Sequence, residues 1–209
     1  MDKIRRLLRA FPETYSEELD IALEREGDEI FKWFLASILF GKRISEELAK
    51  NTYREFEKEG LLSPERILAS GWDKLVEVLD SGGYARYDFS TATKLLDIMR
   101  DLKGKGLMEL YKESKNSEDF ENKLLEFKGI GNVTANIFLR ELRFMPKVNP
   151  ELSRFVKLSA KNLGIDLNKF DRKTRKFIHL ESALLRLGKN YCKKNKCEVC
   201  PMGGFCVKD

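Results

Sequence analysis

The position of the cysteines limits this chain's folding more than any other feature. All four fall near the C-terminus, as Cys192-x4-Cys197-x2-Cys200-x5-Cys206, and none stands elsewhere. In a reducing compartment such a cluster binds metal rather than pairing into disulfides. Four thiolates with no paired histidine suit zinc or a [4Fe–4S] cluster. Zinc sites favour two separated Cys-x2-Cys knuckles. Here there is one such pair, and all four ligands share one compact loop, which favours a cubane wrapped by a single segment. Zinc is the alternative, and four unrelated free thiols are the bland reading. Lys193, Lys194 and Lys196 fill the first loop and would face outward as cations. Everything before Cys192 must close around its own core without covalent help.

That core reads as helical almost throughout. Phe31, Trp33, Phe34, Leu35, Ile38, Leu39 and Phe40 are apolar nearly all round, which predicts a central buried helix. Leu48, Thr52, Tyr53 and Phe56 share one face of the next, which stops at Gly60. Ser63-Pro64 is a cap followed by a first-turn proline and opens a short helix with Ile67 and Leu68. Stripes at Leu75–Leu79, Leu95–Leu102 and Phe120–Leu125 follow, the first two ending at glycines. A last helix is expected from Arg172 to Lys189, carrying the single histidine, His179, as a core or interdomain residue. No strict alternation supports a sheet, so the fold class is all-α.

The chain has 209 residues, enough for one large domain or two small ones. Charged residues make up 35%, the kind of ionic surface that accompanies thermophily. The net charge of +5 fits a nucleic-acid partner without identifying one. The most apolar run, Phe31 to Phe40, is too short to span a bilayer and is interrupted by Lys32. The N-terminus has no signal-peptide pattern, so the chain is expected to be cytoplasmic, nucleoid-associated in a prokaryote, and monomeric.

One turn stands out. In Phe127-Lys128-Gly129-Ile130-Gly131-Asn132-Val133-Thr134 two amphipathic helices meet at Gly-x-Gly, with Asn132 read as the cap of the second. Glycines let the backbone approach another surface, and amides at a helix start attract an anion. One DNA phosphate fits there, with Lys128 adding charge; such a contact positions DNA without reading its sequence. Lys128, Gly129, Ile130, Gly131, Asn132 and Thr134 are therefore candidate DNA contacts. The bland reading is a glycine turn of the sort any helical protein has.

Together the hairpin and the cysteine loop resemble the endonuclease III branch of the helix-hairpin-helix DNA glycosylase superfamily. The hairpin, the helix after it, the Val148–Phe155 segment and the helix running into the cysteine loop follow that family's order, from about Phe31 onward. The first cysteine spacing departs, with four residues where the family usually has six. The resemblance implies a six-helix barrel over residues 29–145 containing the hairpin, and an iron–sulfur cluster domain made of 1–28 with 146–209. Double-stranded DNA would lie across the cleft between them, with a damaged base flipped into it.

The family's catalytic pair is missing. Its Schiff-base lysine falls on Val133, which cannot form one. Its aspartate falls on Asn149, which cannot serve as a base. Asn149-Pro150 also repeats the cap-then-proline signature. Glu151 is the nearest substitute carboxylate, with Asp88 second, and Asn149 is either native or an engineered replacement for aspartate. At the position of the family's wedge glutamine stand Lys42 and Arg43, which would enter the groove, contact phosphate, or simply complement a helix end. Tyr84, Tyr87, Asp88 and Phe89 border the implied base pocket, where stacking is worth about 1–3 kcal/mol per base. The leading expectation is a DNA glycosylase without lysine chemistry. The second is an inactive iron–sulfur protein that binds damaged or distorted DNA, and the third is a cluster-bearing module whose hairpin contacts protein.

Overall fold

A computed structural model describes residues 3–25 and 27–207. The regular elements among them are helices, with no strand: α1 (Lys3–Ala10), α2 (Asp28–Phe40), α3 (Glu46–Lys58), α4 (Pro64–Ser81), α5 (Asp88–Leu102), α6 (Leu107–Glu113), α7 (Ser117–Glu126), α8 (Asn132–Glu141), α9 (Arg154–Leu163) and α10 (Arg175–Asn190), joined in places by short 3-10 turns. None is long and apolar enough to cross a membrane. The chain forms two compact units, one running from Leu19 to Leu139 and the other combining the segment up to Glu18 with Arg140 onward.

In the Leu19–Leu139 unit, α2 is buried from Ile30 to Leu39 except at Lys32, as its all-round apolar sequence predicts. A buried indole needs an acceptor, and Trp33 Nε1 donates to the Phe138 carbonyl at 3.0 Å. Phe34 meets Phe138 edge-on at 5.2 Å. Burying each such ring contributes about 1.5–3 kcal/mol. α3 starts at Ser45, whose side chain accepts from the Leu48 amide. It ends on Gly60 at φ +69°, where the Leu61 amide turns back to the Phe56 carbonyl at 2.8 Å. Ser63 caps α4 with Pro64 in its first turn, and Gly71 (φ 76°, ψ 176°) breaks that element into the two helices that the separate apolar stripes predict. Gly82 is needed because a Cβ there would lie 2.4 Å from Thr52 Cα.

In the other unit, α9 and α10 cross at backbone contact. A Cβ on Gly188 would sit 2.2 Å from the Phe155 carbonyl oxygen. Ser159 Oγ donates to the Leu184 carbonyl at 2.7 Å across the same crossing. Thr174 caps α10, which therefore begins at Arg175 rather than Arg172. Glu141 is fully buried and accepts the Tyr15 and Ser16 amides at 3.1 and 2.9 Å. The Tyr15 ring lies under Arg140 at 5.0 Å and Arg186 at 4.1 Å. These contacts bind the last turn of α8 to the N-terminal segment, so the unit boundaries fall at 18/19 and 139/140, where the resemblance implies 28/29 and 145/146. His179 bridges the Pro12 carbonyl (3.1 Å) and Glu17 (3.2 Å), a tether between α10 and the same segment.

Candidate functional site

The hairpin joins α7 to α8. Asn116 caps α7, accepting from the Asp119 amide at 2.9 Å. Phe127 turns inward, and the Ile130 amide closes the turn on the Phe127 carbonyl at 3.0 Å. Gly129 takes φ +107°, where a side chain would be strained. The Gly131 carbonyl accepts the Ala135 amide at 3.0 Å, so Gly131, not Asn132, holds the cap position. Gly131 has no side chain with which to cover the first-turn amides. Lys128, Gly129, Gly131, Asn132 and Val133 form an exposed edge, with Val133 65% accessible.

Two of the expected DNA contacts are withdrawn. Ile130 is buried and its amide is used in the turn. Thr134 is buried against α2, where a Cβ on Gly41 would lie 2.2 Å from Thr134 Oγ1. That contact sets Lys42 beside the hairpin, half-buried, while Arg43 is exposed. The Lys42 ammonium lies within hydrogen-bond reach of Lys94 on α5. Burial first, and then Lys94, hold Lys42 down to about 8. The Lys94 stem crosses Gly129, where a Cβ would meet Lys94 Cδ at 2.9 Å. Nothing in the sequence marks Lys94, which reads as one more solvated lysine opposite an apolar stripe.

The expected aromatic pocket separates into core and surface. Tyr84 is 1% exposed and donates to the Leu39 carbonyl at 3.0 Å, so it packs the core and cannot stack on a base. Burial pushes its phenol well above the usual range. Tyr87 is half-buried under Arg86 at 5.5 Å, and Asp88 accepts the Phe89 amide at 2.6 Å at the start of α5. Phe89 is 60% exposed and stacks on Trp72 at 5.4 Å, with 27° between the rings. Trp72 Nε1 donates to Thr93 Oγ1 at 3.0 Å. Trp72 is the aromatic the sequence reading missed, because the Gly71 break that turns it outward is a conformational fact.

Asn149 is not a helix cap. Ser153 caps α9, accepting the Val156 amide, and Pro150 lies in irregular chain. Asn149 Oδ1 instead accepts from Arg143 Nη1 at 2.8 Å. Arg143 is fully buried; it grips both carboxylate oxygens of Glu181 through Nε and Nη2 and the Pro150 carbonyl through Nη2 at 2.8 Å. Lys173 Nζ donates to the carbonyls of Met145, Pro146 and Val148, pinning the preceding loop at three points. Burial and then Arg143 hold Lys173 below the usual lysine range. Arg143 takes one lone pair of the Asn149 amide oxygen, and an amide is not basic enough to take up a proton in any case. Glu151 is exposed and paired with Lys157 at 3.2 Å.

The cysteine loop leaves α10 through a 3-10 turn at Cys192–Lys194, and Asn195 is left-handed at φ +52°. It is held by Arg6 Nε on the Pro201 carbonyl (3.0 Å), the Val207 amide on the Asn162 carbonyl (2.7 Å) and the buried Met202. Lys193, Lys194 and Lys196 are exposed, with Lys193 Nζ 5.4 Å from the Phe155 ring centre. None of the four thiols is in a disulfide; Cys192 and Cys200 are half-buried, Cys197 and Cys206 exposed. Burial pushes the Cys192 thiol up, a hydrogen bond with Asn162 opposes that, and Cys200, Cys206 and Cys197 all add to it. Cys200, Cys206 and Cys197 thus each lie within electrostatic reach of Cys192. Among the described residues, no three of His, Cys, Asp and Glu group closely enough to hold one metal ion.

Comparison with protein-family models finds no match, and comparison with curated proteins finds none either.

Proposed function

We propose that this chain binds double-stranded DNA through the hairpin edge of its Leu19–Leu139 unit and recognises damaged or distorted duplex. The observation that carries this reading is the exposed edge from Lys128 to Val133, flanked by Lys42 and Lys94. Phosphate contacts of this type supply affinity without reading bases. The exposed Trp72–Phe89 stack, tied to α5 through Thr93, gives an unstacked base an aromatic surface. Cys192, Cys197, Cys200 and Cys206 are the residues that would hold a [4Fe–4S] cluster. The support for this is the donor set itself, four thiolates in one short loop with no histidine among them, which suits such a cluster or zinc. Such a cluster would brace the loop that carries Lys193, Lys194 and Lys196.

A second reading, base excision without lysine chemistry, is favoured by the support under Asn149. A buried Arg143–Glu181 pair and a three-carbonyl lysine clamp hold that residue in one geometry. Fluorescence anisotropy with intact, mismatched and abasic duplexes, repeated across salt, tests the first reading. The expected result is salt-sensitive binding that is tighter on the distorted duplexes; equal, salt-insensitive binding refutes it. A panel of lesion duplexes incubated with the chain and with Asn149→Asp tests the second. Release of a free base by either supports it, and release by neither refutes it.

A further inference from the structure

We infer that Lys42 and Lys94 form a seat for one phosphate of a nucleic-acid backbone, set against the hairpin turn. The inference rests on the DNA-binding reading and adds to it a residue on an element outside the hairpin. Three contacts build the seat. Gly41 touches Thr134 too closely to admit a Cβ, which fixes Lys42 beside α8. The Lys94 stem lies across Gly129, where a Cβ would meet its Cδ at 2.9 Å. The two ammonium groups come within hydrogen-bond reach of each other.

Ammonium groups donate and never accept, so two of them facing each other satisfy neither partner. Both lysines are half-buried, and among the described residues no carboxylate acts on Lys42. A phosphodiester supplies what is lacking, namely two non-bridging oxygens, one for each lysine, and a negative charge between them. The ligand is an extended polyanion rather than a small phosphate because exposed Lys128 and the start of α8 continue the same edge.

The contact carries a proton signature. Lys94 is the charged group acting on Lys42, while the residues packed there from the hairpin, Gly129 and Thr134, are neutral. With Lys42 held to about 8, part of the free protein carries it uncharged in mildly alkaline solution. Binding a phosphate restores its proton, so affinity falls as pH rises through that value.

The experiment measures duplex affinity against salt and pH for the wild type, Lys42→Ala, Lys94→Ala, the double variant and Lys42→Arg. Circular dichroism verifies folding, which these surface side chains do not control. Each alanine variant is expected to lower the salt slope by about one. The double variant is expected to lose less than the sum of the two, because both lysines hold one phosphate. Lys42→Arg keeps its affinity and loses the wild type's alkaline decline, since guanidinium stays charged. Unchanged slopes in both alanine variants overturn the seat, as does an alkaline decline that persists in Lys42→Arg. If the wild type does not bind duplex at all, the DNA reading fails, and inorganic pyrophosphate titrated against the lysine Nζ resonances decides the seat alone. Joint perturbation of Lys42 and Lys94 sustains it, and no perturbation overturns it.

Discussion

Replacing Glu181 by leucine strips the Arg143 guanidinium of both carboxylate acceptors while leaving it fully buried. Its remaining partners are Asn149 Oδ1 and the Pro150 carbonyl, and neither carries charge. An uncompensated buried charge of this kind costs about 3–5 kcal/mol. For a chain of this length each kcal/mol moves the midpoint by about 2–4 °C, so Glu181→Leu should melt about 6–20 °C lower. Removing both charges, as Arg143→Met with Glu181→Leu, should recover most of that loss, because packed apolar groups replace a buried pair at little cost. The double variant still leaves the buried Pro150 carbonyl unpaired, which costs about 1–3 kcal/mol. Thermal and urea unfolding of the three proteins, followed by far-UV circular dichroism at unchanged m, provides the comparison. A Glu181→Leu protein within about 1 kcal/mol of wild type would falsify the account of Arg143 as a buried cation dependent on Glu181.

Gly188→Ala places a methyl 2.2 Å from the Phe155 carbonyl oxygen, so α9 and α10 must part; a loss of about 1–3 kcal/mol is expected in urea unfolding. Glu141 is buried with its pKa raised above the 4.5 of an unfolded glutamate, chiefly by desolvation, against the pull of Arg140 and the Ser16 and Tyr15 donors. A raised acid contributes stability that is fully present below its unfolded pKa and is lost as pH rises through the folded value. The stability of wild type relative to Glu141→Gln should therefore decline as pH rises above 4.5, and parallel pH profiles for the two proteins would contradict this. Cys200→Ser should abolish the broad visible absorption of an iron–sulfur cluster in protein purified without air, whereas a colourless wild type that contains stoichiometric zinc would assign the loop to zinc.

The local elements were legible because their causes are local. The apolar run of α2, the Ser63-Pro64 start of α4 and the stop at Gly60 each depend on a few consecutive residues, and each stands as read. The misreadings share one cause, which is competition from residues far along the chain. Asn149-Pro150 has the local chemistry of a cap, yet Arg143, itself held by Glu181, claims the asparagine oxygen, and Ser153 caps α9 instead. Tyr84 sits in a glycine-rich, polar segment, yet the Leu39 carbonyl draws it into the core. Ile130 and Thr134 belong to the hairpin motif but face its packed side.

The cysteine spacing that opened the reading stands between these cases. Chain order alone puts the four thiols on one short segment, because Cys192 and Cys206 are only fourteen residues apart. The approach of the other three thiols to Cys192, and the anchoring of the loop by Arg6, Asn162 and Met202, come from tertiary packing. The Lys42–Lys94 pair is wholly tertiary. Helical periodicity says which face of α5 is apolar, but only the packing of α2, α5 and the hairpin brings two lysines so far apart in sequence to one point. Local sequence sets helices and their ends through backbone and side-chain preferences a few residues long. Which charges meet depends on how those helices pack, and no short window of sequence contains that information.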